Sequence, residues 1–323
     1  MANILRVAVQ MDPIERINVA GDSSLAMMIE AAARGHRLWH YGPGDLDWVE
    51  GRVVARARPL AVMRPEAPGA PHFRWLGELE TLDLARDADV VLMRQDPPFD
   101  MAYLSATYLL ERIADAGVTV LNNPRSVRDA PEKLFVLNYA DLMPPTLITR
   151  SLEAARAFHA KHGRVVVKPL YGNAGASIFL LGEGDGNLPA MVEMFSAVWR
   201  EPFIVQAFLP AVTAGDKRIV LIDGEPVGAI NRLPKSGEIR SNLAAGGSAE
   251  KAALTAQEKI ICDRLGPDLK RLGLMFTGID VIGGRLTEIN VTSPTGIMAI
   301  DRFNGTNIPG IFWDRVEALR AGR

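Results

Sequence analysis

The strongest constraint on the fold is the alternation of short apolar segments with helical segments in the first third of the chain. The first apolar run, ILRVAVQM, is followed by a helical segment that Asp22 or Ser23 can cap and Gly35 can end. Strands are predicted next in RLWHY, GRVVARARPLAV, residues 89–94 and VTVLNNP, with a helix over residues 100–116. Strands separated by helices predict a largely parallel, doubly wound sheet. We therefore expect an N-terminal α/β domain over residues 1–123.

The rest of the chain, residues 124–323, has a different pattern. Its predicted strands recur around glycine-centred reversals, as in LIDGEPV and VIGGRLT, and such reversals are typical of antiparallel hairpins. Helices are predicted near residues 126–139, 151–162, 188–200 and 255–272. We therefore expect a second domain of the α+β class. No GxGxxG segment follows the first strand, so the sequence lacks the fingerprint of dinucleotide-binding folds.

Composition and charge argue against several classes of partner. Lys plus Arg number 36 and Asp plus Glu number 38, so no excess of positive charge favours nucleic acid or an anionic membrane. No apolar stretch approaches the roughly 20 residues that span a bilayer, and MANILRVAVQMDP is typical of an opening strand rather than a signal peptide. The single cysteine, Cys262, excludes an internal disulfide and fits a reducing compartment. We expect a cytoplasmic protein with no nucleic-acid or membrane partner, and Cys262 as a packing residue.

A lysine ends the apolar strand of RVVVKPLYGNAGASIFLL and stands directly before a glycine-containing turn. Lys168 would be costly to bury unless an anion neutralised it. Gly172, Gly175 and Ser177 can bring backbone N–H groups and a hydroxyl together as a nest for phosphate oxygens. An exposed hairpin tip with a lysine on an edge strand explains the same residues equally well. The segment is not a Walker sequence, which requires GxxxxGK[ST] opening a helix.

Three oxygen-bearing side chains lie close together in FTGIDVIGGRLTEIN, namely Asp280, Glu288 and Asn290. Side chains alternate between the two faces of a strand, so Glu288 and Asn290 share one face. By themselves they are explained as well by an ordinary solvent-exposed face. Together with Asp280 they are the oxygen ligands that a hard cation such as Mg²⁺ prefers.

The loop between the two strands decides whether Asp280 joins the other two side chains. A two-residue loop of Gly283 and Gly284 would place Asp280 opposite Thr287, on the wrong face. A three-residue loop that includes Arg285 would place Asp280 opposite Glu288. The glycines can supply the positive φ that such a loop needs. We therefore predict a three-residue loop and one shared face.

The sequence also offers cationic candidates: Arg94, Lys133, Arg218, Arg232 and Arg240. Each of them is more typical of a solvated surface than of a site, with one exception. Arg94 ends the apolar strand of VVLMRQDPPFD, and ligands of open α/β sheets bind just beyond the strand ends.

These segments together resemble one family, the bacterial glutathione synthetases of the ATP-grasp superfamily. The resemblance follows the chain in order through VAVQMDPIERINVAGDSSLAM, LMRQDPPFD, NNPRSVRDAPEKLF, VVVKPLYGNAGASIF, QAFLP, GDKRIVLIDGEPV, SNLAAGG and FTGIDVIGGRLTEINVTSPTGI. DPPFD, NLAAGG and TEINVTSPT are distinctive of this family, whereas the lysines and the acidic hairpin belong to the wider superfamily. The resemblance implies a substrate-binding N-terminal domain, then an ATP-grasp domain over residues 124–323 with mobile lid loops.

The resemblance also implies roles for individual residues. ATP would be bound by Lys133, Lys168, Gly172, Gly175 and Ser177 at the phosphates, by Gln206, Ala207, Phe208 and Leu209 at the adenine, and by Asp216 near the ribose. Mg²⁺, with Mn²⁺ as an alternative ion, would be held by Asp280, Glu288 and Asn290. Catalytic roles would fall to Arg218 and Arg240, and substrate-binding roles to Arg94, Arg232, Asn242, Gly246 and Gly247.

The implied reaction joins γ-glutamylcysteine to glycine while ATP is converted to ADP and phosphate. It is a positioning reaction that needs no protein nucleophile, and the sequence shows no Ser-His-Asp or Cys-His constellation. The implied partners are these small molecules, and the implied assembly is a homotetramer. Two alternatives stay open at this point: another grasp-fold ligase, such as a D-alanine ligase or an amino-acid tailing enzyme, and an ATP-binding scaffold that resembles synapsin.

This chain departs from the common pattern of the family at three positions and in one segment, PKSGEIRSN, which replaces a more glycine-rich version. Tyr171 and Ala174 stand where the phosphate loop usually has Asp and Gly, and Gln95 stands where Lys is usual before DPPFD. The loops over residues 171–177 and 234–249 are rich in Gly, Ser and Ala, so we expect both to be mobile without ligand. The departures therefore bear on loop closure more than on the reaction.

Overall fold

A computed structural model describes residues 4–67, 69–172, 175–241 and 246–322 of the chain. Within these ranges, eight strands of the first third form one sheet. They are β1 (Arg6–Gln10), β2 (Arg37–Tyr41), β3 (Leu46–Val49), β4 (Arg52–Val62), β5 (Phe73–Trp75), β6 (Glu80–Asp83), β7 (Val90–Met93) and β8 (Thr119–Leu121). The central order β2-β1-β7-β8 is parallel throughout, so the predicted doubly wound core is confirmed.

The sheet is antiparallel on one side, where the sequence predicted a largely parallel arrangement. β4 pairs antiparallel with β2, and it also carries β3, β5 and β6 in antiparallel pairing. Parallel neighbours need a crossover of about a dozen residues or more, usually a helix. Only residues 42–51 separate β2 from β4, and they contain one 3₁₀ turn (Pro43–Asp45) and β3 instead of an α-helix. The chain therefore turns back on itself here.

Helices cover both faces of this sheet: α1 (Ser23–Ala33), α2 (Leu84–Asp87) and α3 (Met101–Asp115). α1 begins where predicted, because the Asp22 carboxylate accepts a hydrogen bond of 2.6 Å from the Leu25 N–H. Val7 and Val9 pack in the core that contains α1, whereas Ala8 packs in the core that contains α3. Alternate residues of one buried strand thus enter two cores, as expected for a doubly wound sheet.

Beyond residue 123 the structure contains two antiparallel sheets, in agreement with the predicted α+β class. The smaller sheet has the order β11-β10-β12-β9, from β9 (Thr146–Thr149), β10 (Val165–Pro169), β11 (Phe179–Leu181) and β12 (Phe203–Ala207). The larger has the order β15-β14-β13-β16-β17, from β13 (Asp216–Ile222), β14 (Glu225–Leu233), β15 (Ser248–Lys251), β16 (Phe276–Ile282) and β17 (Arg285–Asn290). The helices of this half are α4 (Pro124–Asp129), α5 (Glu132–Phe135), α6 (Leu152–His162), α7 (Leu188–Val198), α8 (Ala256–Arg271), α9 (Ile297–Asn304) and α10 (Ile308–Ala321).

The helix predicted near residues 126–139 is broken into α4, α5 and a 3₁₀ segment over Val136–Leu142. Pro131 separates α4 from α5, since a proline disfavours helical backbone in the residue before it and lacks the N–H that a continuous helix would use. The break has a consequence for the site, because it makes Lys133 part of a short helix of its own next to the larger sheet.

The end of the chain packs against the N-terminal sheet unit, which the sequence did not predict. The Trp313 indole of α10 donates a hydrogen bond of 2.8 Å to the Met27 carbonyl of α1. The Arg34 guanidinium lies 2.8 Å from the Asp314 carboxylate and 3.3 Å from that of Glu317. Two of the apolar cores combine residues from both halves of the chain. The domain boundary at residue 123 stays a prediction.

Two expectations drawn from composition can be examined in the described ranges. Cys262 is on the buried face of α8, where burial raises the pKa of its thiol to about 12. It is therefore a packing residue, as predicted. None of the helices that the structure describes is long and apolar enough to cross a bilayer.

His36 lies at the contact between the N-terminal unit and α10. Its Nδ1 accepts a hydrogen bond of 3.3 Å from the Leu5 N–H, so the ring proton is on Nε2, which lies 3.1 Å from the Glu317 carboxylate. The Trp313 ring lies 5.0 Å away, and Arg34 is close enough to oppose a second positive charge. Burial lowers the pKa of His36, although Glu317 acts in the opposite direction.

We therefore expect the free energy of unfolding to fall as the pH drops below about 6.5, the ordinary histidine pKa in an unfolded chain. Below that pH the unfolded chain binds a proton that the folded chain excludes, so acid favours unfolding; above it the stabilisation is complete. Urea unfolding at about pH 7.5 and 5.5 checks this against His36→Gln, which keeps an N–H for Glu317 but does not titrate. Equal pH dependence of the two proteins would contradict the prediction.

Candidate active site

A cavity of about 450 Å³ opens between the smaller and the larger antiparallel sheet. Most of the predicted site residues line it: Lys133, Lys168, Gly172, Gly175, Gln206, Ala207, Phe208, Leu209, Asp216, Arg218, Arg232, Arg240, Asp280, Glu288 and Asn290. They come from parts of the sequence more than 150 positions apart, brought together by the two sheets and α5. The N-terminal unit contributes Asp96 and Pro97 of DPPFD to the same wall.

The acidic hairpin has the predicted pairing but reaches it by a different route. Asp280 lies opposite Glu288, so the two carboxylates share one face, as predicted. The predicted three-residue loop is wrong, because Ile282 pairs with Arg285 across a two-residue loop. The loop glycines, Gly283 and Gly284, have φ angles of 56° and 76°. Such values are typical of the tight turn that closes a twisted hairpin.

A β-bulge supplies the one-residue shift in pairing that a two-residue loop alone would not give. The pairing shifts by one residue between Asp280 and Val281, so that Thr287 is the extra residue on β17. The Thr287 hydroxyl donates a hydrogen bond of 3.1 Å to the Asp280 carbonyl and closes the irregular position. A bulge of this kind re-aims the side chains that follow it. The common face of Asp280 and Glu288 therefore depends on the bulge.

Two lysines converge on Glu288 from different elements. Lys168 at the end of β10 and Lys133 on α5 have their ammonium groups 3.4 Å and 3.6 Å from the Glu288 carboxylate. Lys168 is only 6% exposed, which excludes the alternative of a solvated edge-strand lysine. Burial alone would raise the pKa of Glu288, but the two lysines hold it below its usual range. Glu288 therefore lies between two ammonium groups whose positive charges it partly neutralises.

Lys133 has two further partners, one of which the sequence reasoning missed. Its ammonium group donates hydrogen bonds to the Glu132 carboxylate and, at 2.6 Å, to the carbonyl of Gly172 in the loop after β10, where phosphate binding is predicted. Gly172 needs to be glycine, because a Cβ atom there would lie 2.4 Å from the Pro169 ring. Burial raises the pKa of Glu132, against the effect of Lys133. The only sequence signal for Glu132 was its position next to the candidate lysine.

Arg218 and Arg232 meet at Asp280. Arg218 grips both carboxylate oxygens, with Nε 2.5 Å from Oδ1 and Nη2 2.9 Å from Oδ2, and its Nη1 donates to the Thr295 carbonyl at 3.2 Å. Arg232 lies 3.0 Å from Asp280 Oδ1 and also donates to Asp216 at 2.5 Å. Burial would raise the pKa of Asp280, but the two guanidinium groups hold it far below its usual range. Such a forked contact fixes the position of both partners.

Asp216 links this network to the loop after β14. Its Oδ2 accepts hydrogen bonds from Arg232 and, at 2.9 Å, from the Ser241 hydroxyl. Its Oδ1 and the Arg232 Nε are buried without a partner among the residues that the structure describes. Burial raises the pKa of Asp216, although Arg232 acts against it. The predicted role of Asp216 near a ribose stays a prediction.

The donor atoms at the hairpin fit a hard divalent cation. Glu288 supplies carboxylate oxygen and Asn290 supplies an amide oxygen at the cavity wall, and oxygen ligands are what Mg²⁺ and Mn²⁺ accept. Asp280 is more constrained, because Arg218 and Arg232 already occupy its oxygens and Asn290 Nδ2 lies 3.4 Å from Oδ2. No group of three His, Cys, Asp or Glu side chains suited to a metal occurs in the described ranges, and here the third donor is an amide. The residues therefore fit the ion, with Asp280 shared between it and the arginines.

Arg94 lies behind the cavity wall. Its Nε donates to the Ser24 hydroxyl at 2.9 Å and its Nη2 to the Pro294 carbonyl at 3.1 Å, while its guanidinium lies 5.2 Å from the centre of the Phe276 ring. Burial lowers the pKa of Arg94. It thus connects the end of β7 to the Ser-Pro-Thr turn after β17, and direct contact with a substrate stays a prediction.

The remaining predicted residues are placed less centrally. Arg240 lines the cavity but is paired with Glu238 at the protein surface, with contacts of 3.0 Å and 3.1 Å. Ser177, with a φ of 56°, and Gly246 and Gly247 lie outside the cavity lining in the described ranges. Asn242 and the Ala174 departure lie outside the described residues. The roles assigned to these positions therefore stay predictions.

The phosphate loop contacts the N-terminal unit through a residue in which this chain departs from the family pattern. The Tyr171 ring stacks on that of Phe99 in DPPFD, with centroids 6.2 Å apart and an interplanar angle of 27°. Phe99 in turn contacts Tyr103 of α3 at 5.1 Å. An aspartate at position 171 could not make this contact. The departure thus adds an aromatic connection between the loop and the opposite unit.

The second of the two loops predicted to be mobile, residues 234–249, can be tested by limited proteolysis. We expect trypsin to cleave the chain after Lys235 or Arg240, both of which are in the second loop, and we expect cleavage to slow when ADP and Mg²⁺ are added. Cleavage after the exposed Arg86 on α2 serves as an internal control, since that helix lies outside the cavity. If ADP and Mg²⁺ slowed cleavage equally at Arg86 and in the loop, or slowed it at neither site, the loop would not act as a lid.

Comparisons with known proteins identify the family. The N-terminal domain of prokaryotic glutathione synthetase matches residues 5–128, and the ATP-grasp domain of the same family matches residues 132–305. The glutathione synthetase of Rhodopseudomonas palustris is 52% identical over 317 residues, which cover 98% of this chain and 99% of that protein. The glutathione synthetase of Brucella melitensis is 51% identical over 316 residues, with coverage of 98% and 99%.

Solved structures share the fold at low sequence identity. The D-cycloserine synthetase DcsG matches 97% of this chain and 99% of its own with a TM-score of 0.68 and 14% identity. The ATP-grasp ligase PsnB, solved with a precursor peptide and AMPPNP, matches 99% and 100% with a TM-score of 0.61 and 21% identity. These structures bear on the fold alone, whereas the family matches span nearly the whole chain. The chain therefore belongs to the prokaryotic glutathione synthetase family, and it is an ATP-dependent ligase with the activity of a glutathione synthase.

Proposed function

We propose that the cavity between the two antiparallel sheets is where this chain joins γ-glutamylcysteine to glycine at the expense of ATP. The observation that carries the proposal is the convergence of two buried lysines and two arginines on the Glu288 and Asp280 carboxylates at one wall. Lysine and arginine side chains are the groups that bind phosphates and substrate carboxylates in proteins. A protein with a net charge of −2 has no general attraction for them, so the positive charge must be local.

The phosphate end of ATP belongs, in this proposal, beside Lys133, Lys168 and the loop of Gly172 and Gly175. Lys133 Nζ donates a hydrogen bond to the Gly172 carbonyl, so the lysine is in direct contact with the loop. Asp280, Glu288 and Asn290 would hold Mg²⁺, or Mn²⁺ in its place, at this end. When bound, the cation neutralises phosphate charge and holds the phosphate oxygens for transfer. The adenine end belongs beside Gln206, Ala207, Phe208 and Leu209, where Val166 and Val212 give the cavity an apolar lining.

The reaction would proceed in two substitutions. An oxygen of the dipeptide's cysteinyl carboxylate attacks the γ-phosphorus, and the bond to the β-phosphate oxygen breaks to release ADP. The glycine amine then attacks the acyl carbon, phosphate leaves, and the amine loses a proton to the phosphate or to solvent. Arg218 and Arg240 would stabilise the carboxylate and the transferred phosphoryl group, and Arg94, Arg232, Asn242, Gly246 and Gly247 would help to bind substrate. Positioning and charge neutralisation account for such catalysis without a protein nucleophile.

We also propose three coarser features on the basis of the family resemblance. These are a homotetramer, a cytoplasmic location, and a boundary near residue 123 between a substrate-binding domain and the ATP-grasp domain. Sedimentation of the purified full-length chain tests the first of them. A monomer at micromolar concentration would overturn the tetramer without affecting the reaction.

The test of the function is ADP release by the full-length protein with ATP, Mg²⁺, γ-glutamylcysteine and glycine, with glutathione identified by mass. D-Alanine and glutamate serve as alternative acceptors, and omission of the dipeptide gives the background. We expect rapid ADP release only with the dipeptide and glycine together. Ready turnover with another pair and no glutathione would mean that the fold is right and the assigned reaction is wrong.

A further inference from the structure

Three side chains lie side by side on the face of the smaller sheet that borders the cavity. Gln206 on β12 is in register with Thr146 on β9 and with Val166 on β10. In-register neighbours project to the same face. Val166 and Gln206 line the cavity, whereas the next residues along these strands, Val165 and Val205, are buried in the core on the other face. Thr146 thus stands directly beside a cavity-lining amide.

A chain of hydrogen bonds fixes which end of that amide faces Thr146. The Thr146 hydroxyl donates its single proton to the Pro144 carbonyl at 2.8 Å. It can therefore only accept from Gln206, whose Nε2 lies 2.8 Å away. The amide nitrogen is thereby held toward Thr146, and the carbonyl oxygen Oε1 is left pointing elsewhere. No donor within the described part of the chain bonds to Oε1, and Oε1 is not among the buried atoms that lack a partner.

We propose that Thr146 is a positioning residue that sets the base preference of the nucleotide site, because it orients Gln206 to present an acceptor to the cavity. The inference rests on the proposed function, in which the base lies against residues 206–209. The 6-amino group of adenine donates to an acceptor, so it matches Gln206 Oε1. The 6-oxo group of guanine would place two acceptors face to face, and an unpaired polar group in a desolvated site is costly.

The orientation matters because a free glutamine amide could turn to suit either base. If Gln206 turned its Nε2 toward guanine, its Oε1 would meet the lone pairs of Thr146, whose proton is held by the Pro144 carbonyl. Rotation of the Thr146 hydroxyl would release that carbonyl from its bond. Both rearrangements lose a hydrogen bond, so Thr146 keeps the site selective for a 6-amino purine.

The experiment compares Thr146→Val, which has the same shape without the hydroxyl, with Thr146→Ser, which keeps it. Thr81→Val on the exposed strand β6 removes a hydroxyl far from the cavity and serves as the control. Dissociation constants of ADP and GDP are measured on the full-length protein by competition, and kcat/KM is measured with ATP and with GTP. We expect Thr146→Val to lower the preference for adenine over guanine nucleotides by about 3- to 10-fold, which corresponds to one neutral hydrogen bond. The preference is the ratio of the GDP to the ADP dissociation constant, and likewise the ratio of kcat/KM with ATP to that with GTP. Thr146→Ser and Thr81→Val should keep the wild-type ratio.

An unchanged ratio in Thr146→Val, or an equal loss in Thr146→Ser, would overturn the inference. Should Thr146→Val fail to fold, Gln206→Glu supplies the second test, since a carboxylate can only accept and the adenine preference should persist or sharpen. A weakened preference in Gln206→Glu would contradict the assigned role of Oε1. Failure of the wild-type protein to bind ADP would instead count against the proposed function itself.

Discussion

Replacement of Glu288 by glutamine is expected to lower turnover with Mg·ATP, γ-glutamylcysteine and glycine by about a hundredfold or more. The Glu288 side chain is 19% exposed, and its carboxylate lies 3.6 Å from the Lys133 ammonium group and 3.4 Å from that of Lys168. It is one of the two best-placed oxygen donors for the divalent cation. The substitution keeps the volume and removes the charge. Removal of one preorganised electrostatic group from an active site typically raises the activation free energy by about 2.7–4 kcal/mol, and about 1.4 kcal/mol corresponds to a factor of ten in rate.

The same variant should separate metal-dependent from metal-independent nucleotide binding. Without the competing carboxylate, both lysines remain available to phosphate, so the dissociation constant of ADP without Mg²⁺ should stay unchanged or decrease. The gain in ADP affinity that Mg²⁺ provides should largely disappear. Glu193→Gln, on an exposed position of α7, is the matched control and should behave as the wild-type protein. Full Mg²⁺ dependence in Glu288→Gln would show that the hairpin does not hold the ion.

Arg218→Lys is expected to destabilise the fold and to impair turnover together. The guanidinium makes a forked contact with both oxygens of Asp280 and a third bond to the Thr295 carbonyl. A lysine ammonium is a single point of charge and cannot reproduce the fork. Arg232 still faces Asp280, so we expect the free energy of unfolding to fall by about 3 kcal/mol, at the low end for a disrupted buried pair. Urea unfolding and ADP release measure the two effects.

Arg240→Lys provides the contrast to Arg218→Lys, because Arg240 lies at the surface beside Glu238. We expect its melting temperature to match that of the wild-type protein, while turnover falls and ADP affinity is retained, if Arg240 contacts the reacting groups. Normal turnover in Arg240→Lys would remove Arg240 from the catalytic set. Normal stability in Arg218→Lys would mean that the forked contact is not a support of the fold.

Local patterns in the sequence predicted much of the fold correctly. Asp22 caps the first helix, Gly35 follows its end, and the antiparallel hairpins form at the predicted glycine turns. These features depend on groups close together in the chain, so their physics is visible in a short window. The family resemblance then identified a set of residues, most of which line the cavity. The resemblance identified these residues because they belong to motifs several residues long, and not from the chemistry of any single residue.

The features that the sequence did not predict depend on contacts between distant segments. Glu132 is involved because a break at Pro131 brings Lys133 to the hairpin strand, and Arg94 supports the turn at Pro294, which is 200 positions away. The packing of α10 on α1 likewise depends on Trp313 reaching the Met27 carbonyl. No local periodicity in the sequence predicts such long-range contacts, because the fold of the whole chain decides which surfaces pack together.

The hairpin of β16 and β17 shows most clearly which features are local to the sequence and which depend on the tertiary structure. The sequence by itself determined that Asp280, Glu288 and Asn290 are oxygen donors on adjacent strands, because residue type and the two-residue period of a strand are local properties. Only the tertiary structure decided that they share one wall, since a one-residue slip would have turned Asp280 away. A bulge at Thr287 sets the register that pairs Asp280 with Glu288. The two lysines and Arg218 then hold the carboxylates in place. A bulge and long-range ion pairs are chosen by the packing of two sheets against each other, which is why the site exists only in the folded chain.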